Sequence, residues 1–192
     1  MAMRRTLLIL VLALTASQGL ATGEIESLIT PADRARLAEF DATRSAAIEE
    51  ARKDGSEKDV AKLDTILAKE PVSFAEFDMT GEWRCRTIKA GGPAPLVIYG
   101  WFKCHVTDDG SGWMLEKLTG SQRTKGRFFT ESDTRLTYLG SFYVAGEKAE
   151  PYGSGPDSDQ AGYALRTGTN EWRIEFPAPR YESKFDILEF RR

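Results

Sequence analysis

The sequence predicts a mainly β protein: an N-terminal αα-hairpin followed by an eight-stranded antiparallel up-and-down β-barrel, with a β-sandwich as the alternative. Three observations carry this. From Thr80 onward apolar residues alternate with period two in eight short runs, with turn clusters and no helical stretch between them. Such spacing belongs to antiparallel barrels and sandwiches. Before Thr80 the period is helical and the capping signals are those of helices. Finally, Cys85 and Cys104 flank the turn-rich run Gly91-Gly92-Pro93-Ala94-Pro95, so two strands folding back around it bring the cysteines opposite each other.

Residues 1–21 read as a secretory signal peptide, with Arg4-Arg5 as the positive segment and Leu7 to Leu14 as a short apolar run. That run is too short to span a bilayer, which takes about 20 residues. Gly19-Leu20-Ala21 places the cut after Ala21, with Ala16 as second choice, and no stable membrane insertion is expected after cleavage. Removing Arg4 and Arg5 with this segment moves the formal charge from -3 to -5, which excludes the basic stripe that nucleic-acid binding requires. The mature chain is long enough to bury a core without metal. An even pair of cysteines in an exported chain reads as one disulfide.

Residues 22–78 are expected to form the hairpin and a linker, and 79–192 the barrel. Thr30-Pro31-Ala32-Asp33 is a capping pattern, with proline at the first helical position and an acid three residues after the cap. Leu37, Phe40, Ala47, Ile48 and Ala51 then line one face until Asp54-Gly55 stops the helix. Ser56 to Asp59 repeats the cap, Val60, Leu63 and Leu67 form the second stripe, and Pro71 ends it. The hairpin is expected to pack through Val72, Phe74 and Phe77. The strands are expected at 82–89, 96–106, 112–118, 126–130, 135–143, 161–167, 171–176 and 184–190.

Setting Cys85 directly opposite Cys104 places Trp83 against Val106 and Thr87 against Phe102, on an inward face shared with Leu96 and Ile98. The outward face then pairs Arg84 with His105, Arg86 with Lys103 and Ile88 with Trp101. A bridge between neighbouring antiparallel strands suits a closely spaced, non-hydrogen-bonded pair.

At Trp83 to Lys89, Tyr99 to Cys104, Lys117 to Arg123 and Pro179 to Ser183 the chain resembles a proteobacterial exported family, domain of unknown function 4893, over about residues 25–190. The resemblance implies an exported, periplasmic protein and carries no assigned activity. Gly81-Glu82-Trp83 also resembles the opening of lipocalin-type barrels. The composite of barrel and disulfide is loosely similar to small-barrel metalloprotease inhibitors, which act through an extended N-terminal trunk where this chain reads helical.

Two polar groups are candidate sites for a ligand or partner. The first is the outward stripe of Arg84, Arg86 and Lys103, bordered by Trp101 and Tyr99 and suited to an acidic partner. Like charges across a strand pair cost stability unless acids neutralise them, and Glu116, Asp186 or Glu189 could do so from neighbouring strands. The second is Gln122, Arg123, Lys125 and Arg127, converging with Arg180, Tyr181, Glu182 and Lys184 if both runs lie at one barrel end. His105 has neither nucleophile nor orienting acid in its pattern and reads as a surface residue. Cys85, Cys104 and His105 do not make a metal set, because alternation sends His105 to the other face. Asp157-Ser158-Asp159 opens like a calcium loop, but its twelfth position is Gly168 rather than glutamate, so the stretch reads as a solvated loop and candidate lid.

The function expected is therefore a non-enzymatic periplasmic or secreted binding or envelope-interaction module, with no metal or cofactor and with a small molecule or envelope protein as partner. A protease-inhibitor-like barrel is the alternative, and an enzyme using Arg, Tyr and Glu side chains the third reading.

Overall fold

The computed structural model describes residues 25–192, so the expected signal peptide at 1–21 lies outside the described residues. Helix α1 spans Pro31–Ala38, α2 Phe40–Asp54 and α3 Glu57–Leu67. Both caps form as their sequences require: Thr30 Oγ1 accepts from the Asp33 amide and Ser56 Oγ from the Asp59 amide, each at 3.2 Å. The first expected helix is broken at Glu39 (φ -95°, ψ 12°). The bend turns α1 onto the barrel wall and drives Phe40 into the layer beneath, 4.8 Å from the Tyr163 ring and 5.7 Å from Phe185. Ala47, Ile48 and Ala51 of α2 and Leu63 and Ile66 of α3 complete that layer against Ile88, Ala90, Phe185 and Ile187.

The strands are β1 Gly81–Ala90, β2 Leu96–Ile98, β3 Phe102–Asp108, β4 Trp113–Lys117, β5 Gln122–Thr130, β6 Leu136–Val144, β7 Asp159–Arg166, β8 Glu171–Pro177 and β9 Phe185–Arg191. Each from β3 to β9 pairs antiparallel with the next, and β9 returns to β1 through seven residue pairs, closing an eight-stranded barrel with β2 as an added short strand. The expected strand 96–106 is thus two strands, interrupted at Tyr99-Gly100-Trp101. The expected start of β5 at 126 is also corrected, to Gln122.

The disulfide forms, with a Cα–Cα distance of 5.9 Å, but its cysteines are diagonal neighbours. Trp83 sits opposite Cys104 and Cys85 opposite Phe102, two residues from the expected register. A two-residue shift keeps every side chain on its face, so Trp83, Cys85, Cys104 and Val106 are all buried inside as expected. Cross-strand partners do change: Glu82 faces His105, and Arg84 faces Lys103. Leu96 and Ile98 do change faces. Ile98 pairs with Ile88, one residue out of phase with the β1–β3 ladder, so β2 turns its apolar residues outward under the helices instead of into the lumen.

The lumen is filled with side chains over much of its length. Trp172 stacks on Phe190 with centroids 3.5 Å apart and meets Trp83 and Phe128 edge-on at 5.7 and 5.6 Å. The linker after α3 seals this end. Phe74 and Phe77 join the interior core rather than the helices, Trp83 Nε1 donates to the Met79 carbonyl at 2.7 Å, and Arg166 lies 4.5 Å over Phe77. Val72 is exposed and holds the linker by a bridge to Arg166 instead of by packing. Gly126 and Gly140 face each other across β5–β6, where a Cβ at either would come within 2.7 Å of the Tyr138 ring. Their bare backbones let that ring cross the lumen.

Reducing the disulfide, or replacing both cysteines by alanine, is expected to cost about 3 kcal/mol, because the bond closes a loop 19 residues apart in sequence. Urea unfolding with and without reductant measures this, and the oxidised chain should weigh about two mass units less than the reduced one.

Candidate functional site

The end of the barrel opposite the linker is polar. It is reached by the last residues of β1, β4, β6 and β8 and the first of β3, β5, β7 and β9. Inward parity there falls on Thr87 and Lys89 of β1, Lys117 of β4, Gln122 and Thr124 of β5, Gln160 of β7 and Asp186 of β9. The boundary with the apolar filling is a hydrogen-bond chain: the Tyr138 hydroxyl and Thr124 Oγ1 lie 2.7 Å apart, and Thr124 Oγ1 donates to Gln160 Oε1 at 2.7 Å. Above it lie two chambers that share Thr87, Lys117 and Gln122. The inner, of about 40 Å³, is walled by Asp186, Thr124 and Gln160; the outer, of about 220 Å³, by Lys89, Glu182, Tyr99 and Phe102. Both are below the roughly 300–1,000 Å³ of pockets that take drug-sized ligands.

The charges in this mouth are incompletely matched. Lys89 Nζ donates to Glu182 Oε2 at 3.0 Å, while its Cα partner across the β1–β9 ladder is Asp186. Lys117, only 5 % exposed, donates to Thr87 Oγ1 at 3.2 Å and rests 4.4 Å over the Phe102 ring, with no ion pair among the described residues. An ammonium has three donors, so most of its hydrogen-bonding capacity is open to the chambers. Asp186 accepts from Ser183 Oγ at 2.5 Å. Burial pushes its carboxyl up to about 6, against the opposing pull of Lys89, the Ser183 hydroxyl and Lys117. Burial likewise pulls the Lys117 ammonium down to about 8, with Asp186 opposing and Lys89 and Arg123 adding to the fall.

Of the sequence-predicted second group, the fold brings Glu182 to this mouth and leaves Arg123 at its rim on the outward side of β5, where its Nε donates to the Gly120 carbonyl at 3.1 Å; Glu182 also receives a hydrogen bond from Gln122. Arg180 and Tyr181 lie just outside it: Arg180 is paired with Asp157 and stacked 4.8 Å from Tyr181, whose ring is 5.3 Å from Phe142. Arg127 does not converge. It points outward lower on β5 and grips Asp109 with both terminal guanidinium nitrogens. The loop between β6 and β7 is folded on itself, since Asp159 accepts from the Gly153 and Gly155 amides, and Tyr152 donates to Asp33 of α1 at 2.8 Å.

The first group does assemble, around Trp101. Arg84, Arg86 and Arg191 lie 5.2, 4.7 and 4.4 Å from its ring centre. Arg84 has Lys103 on one side and Arg191 on the other, an unexpected like-charge row across three strands. Glu189 bonds Arg86 at 2.5 Å and approaches Arg191 at 3.9 Å, one carboxylate for several cations. His105 Nδ1 lies 2.7 Å from Glu82 Oε1.

Lys89, Lys117, Thr124 and Gln160 were not singled out along the sequence, and Asp186, expected to neutralise the outward stripe, instead points into the lumen because it is out of phase with Glu189 on β9. The signal was present as parity: each is a polar residue at an inward position near the same end of its strand. No cluster of His, Cys, Asp and Glu among the described residues could hold a metal ion, and no described helix is long and apolar enough to cross a membrane.

Fold and site together define a closed β-barrel plugged at one end, charged and open at the other. The chain belongs to the family described as Domain of unknown function (DUF4893), whose profile matches residues 26–190. No curated protein and no solved structure matches it, and the likeness to lipocalin-type barrels gains no support from these comparisons.

The Asp186 carboxyl has a definite thermodynamic consequence. Its value is raised on folding, so its contribution to stability is complete below the ordinary aspartate value of about 4 and is lost as pH rises through about 6. The stability of the native protein relative to Asp186→Asn should therefore fall on going from pH 4 to pH 7, by on the order of 3 kcal/mol. Denaturant titrations of the two proteins across this range test it.

Proposed function

We propose that this protein is an exported, periplasmic binding module whose barrel mouth receives the anionic group of a small molecule. The observation that carries this reading is Lys117, a buried ammonium whose hydrogen-bonded partner is a neutral hydroxyl. Burying a cation without a direct ion pair costs stability, which the charge of Asp186 in the same chamber only partly offsets, and proteins keep such costs where function needs them. The apolar walls beside it, Phe102 and Tyr99 in the outer chamber, offer contact to the body of a ligand, and the volume favours a small one. The disulfide supports an oxidising compartment. A protease inhibitor acting through an extended trunk is disfavoured by the helices from Pro31 to Leu67, which pack on the barrel wall.

One feature supports a second reading, an acid–base enzyme: Asp186 at about 6 and Lys117 at about 8 both titrate near neutrality and share one chamber. Binding without chemical change of the bound molecule separates the two.

Native mass spectrometry of the protein expressed with its own leader should show a co-purified small acid, or a mass shift on adding one. Lys117→Met should abolish that binding while raising stability by roughly 1 kcal/mol, since it removes the cost of a buried charge. A native protein that takes up no anion, or a Lys117→Met variant that binds as well as the native chain, would overturn the proposal.

A further inference from the structure

Glu182 is placed unusually. Its backbone is in the left-handed region (φ 69°), as is that of Ala178 (φ 44°), so two non-glycine residues strain the short connection between β8 and β9. Its side chain is 59 % exposed, yet its carboxylate ends on Lys89, whose side chain is 6 % exposed. Lys89 also reaches towards the Tyr181 carbonyl at 3.5 Å, so this same connection supplies both of its contacts. The bond to Lys89 is the main cause that holds the Glu182 carboxyl below its ordinary range, with Gln122 assisting. A solvent-exposed carboxylate thus stands at the lip of the outer chamber, held by a buried lysine of the wall. Behind it lies Lys117, a second buried ammonium with no carboxylate of its own.

The other carboxylate here cannot fill that role. Asp186 is held from the inner side by Ser183 and faces the smaller chamber, walled in by β1 and β9. Glu182, with 59 % of its side chain exposed, has an outward path from Lys89 into water. Its departure leaves Lys89 and Lys117 facing the single acid Asp186, an excess of positive charge that an incoming anion would neutralise.

We infer that the ligand of this mouth is a small carboxylic acid, and that Glu182 is an internal stand-in for its carboxylate, displaced from Lys89 when the ligand binds. This rests on the reading of the barrel mouth as an anion-binding site. The group that Lys89 already holds sets the chemical class: a planar carboxylate with two acceptor oxygens, one for Lys89 and one for Lys117. Phe102 and Tyr99 supply the apolar wall for the body of the acid. Glu182 competes with every ligand by its own high local concentration, so the native protein binds weakly, and the strained connection relaxes as the side chain lets go.

The test compares the native protein with Glu182→Gln and Lys89→Met, using benzoate, hexanoate and inorganic phosphate as probes in calorimetric titrations at pH 7. Glu182→Gln should bind a carboxylate on the order of tenfold more tightly than the native protein, as expected for losing a charged competitor, and Lys89→Met should bind it at least tenfold more weakly. Equal affinity in the native protein and Glu182→Gln would overturn the stand-in role while leaving the mouth an anion site. Phosphate preferred over both carboxylates would overturn the ligand class. No uptake of any probe by any of the three would overturn the binding function itself. Circular dichroism and urea unfolding establish that each variant is folded, and Glu182→Gly, which relieves the left-handed strain and removes the carboxylate together, provides a second variant expected to behave as Glu182→Gln does.

Discussion

The seven-pair ladder between β1 and β9 is the constraint on which the rest depends. It turns an open meander into a closed barrel, and closure divides every strand into an inside and an outside. Inward residues of β1 and β9 then contribute to two different interiors. Trp83, Cys85 and Phe190 join an aromatic filling, while Lys89 and Asp186, a few residues along the same strands, form a charged mouth. The outward residues divide as well: Ile88, Ala90, Phe185 and Ile187 take the helices, and Arg84, Arg86 and Arg191 surround Trp101.

This division of labour suits the energetics of a small barrel. The plugged end buries large apolar surfaces, worth about 25 cal/mol for each Å² removed from water, and offsets the cost of the ions at the other end. The disulfide joins the first two barrel strands diagonally within the filled part, where it limits the unfolded chain without intruding on the mouth. The helices brace the outside of β1 and β9, so the ladder that closes the barrel is supported from both faces.

Much of this was legible along the chain. Helix caps at Thr30 and Ser56, the barrel class, and the faces of Trp83, Cys85, Cys104 and Val106 follow from local pattern alone. The register did not, because a disulfide accepts both direct and diagonal partners, and a two-residue shift leaves alternation unchanged. Leu96 and Ile98 misled because a one-residue offset at Tyr99 to Trp101 reverses faces, and no periodicity signals an offset that small. Residues 122–125 were not legible as strand for a different reason: their inward members are Gln122 and Thr124, so the apolar alternation that marks a strand is missing where the strand lines a polar pocket. The failure of the hydrophobic pattern therefore coincided with the candidate site.

By itself the sequence determined the local quantities: where helices begin, where turns fall, which positions share a face, and that two cysteines lie close. These depend on neighbours a few residues apart. Only the tertiary structure decided what stands beside what across the barrel. Lys89 and Asp186 are 97 positions apart in the chain and paired in the ladder, and Lys117 and Glu182 line one chamber. Whether a charged residue is a solvated surface group or a buried ion without a partner depends on closure. Closure is a property of the first and last strands together, and no local stretch of residues contains it.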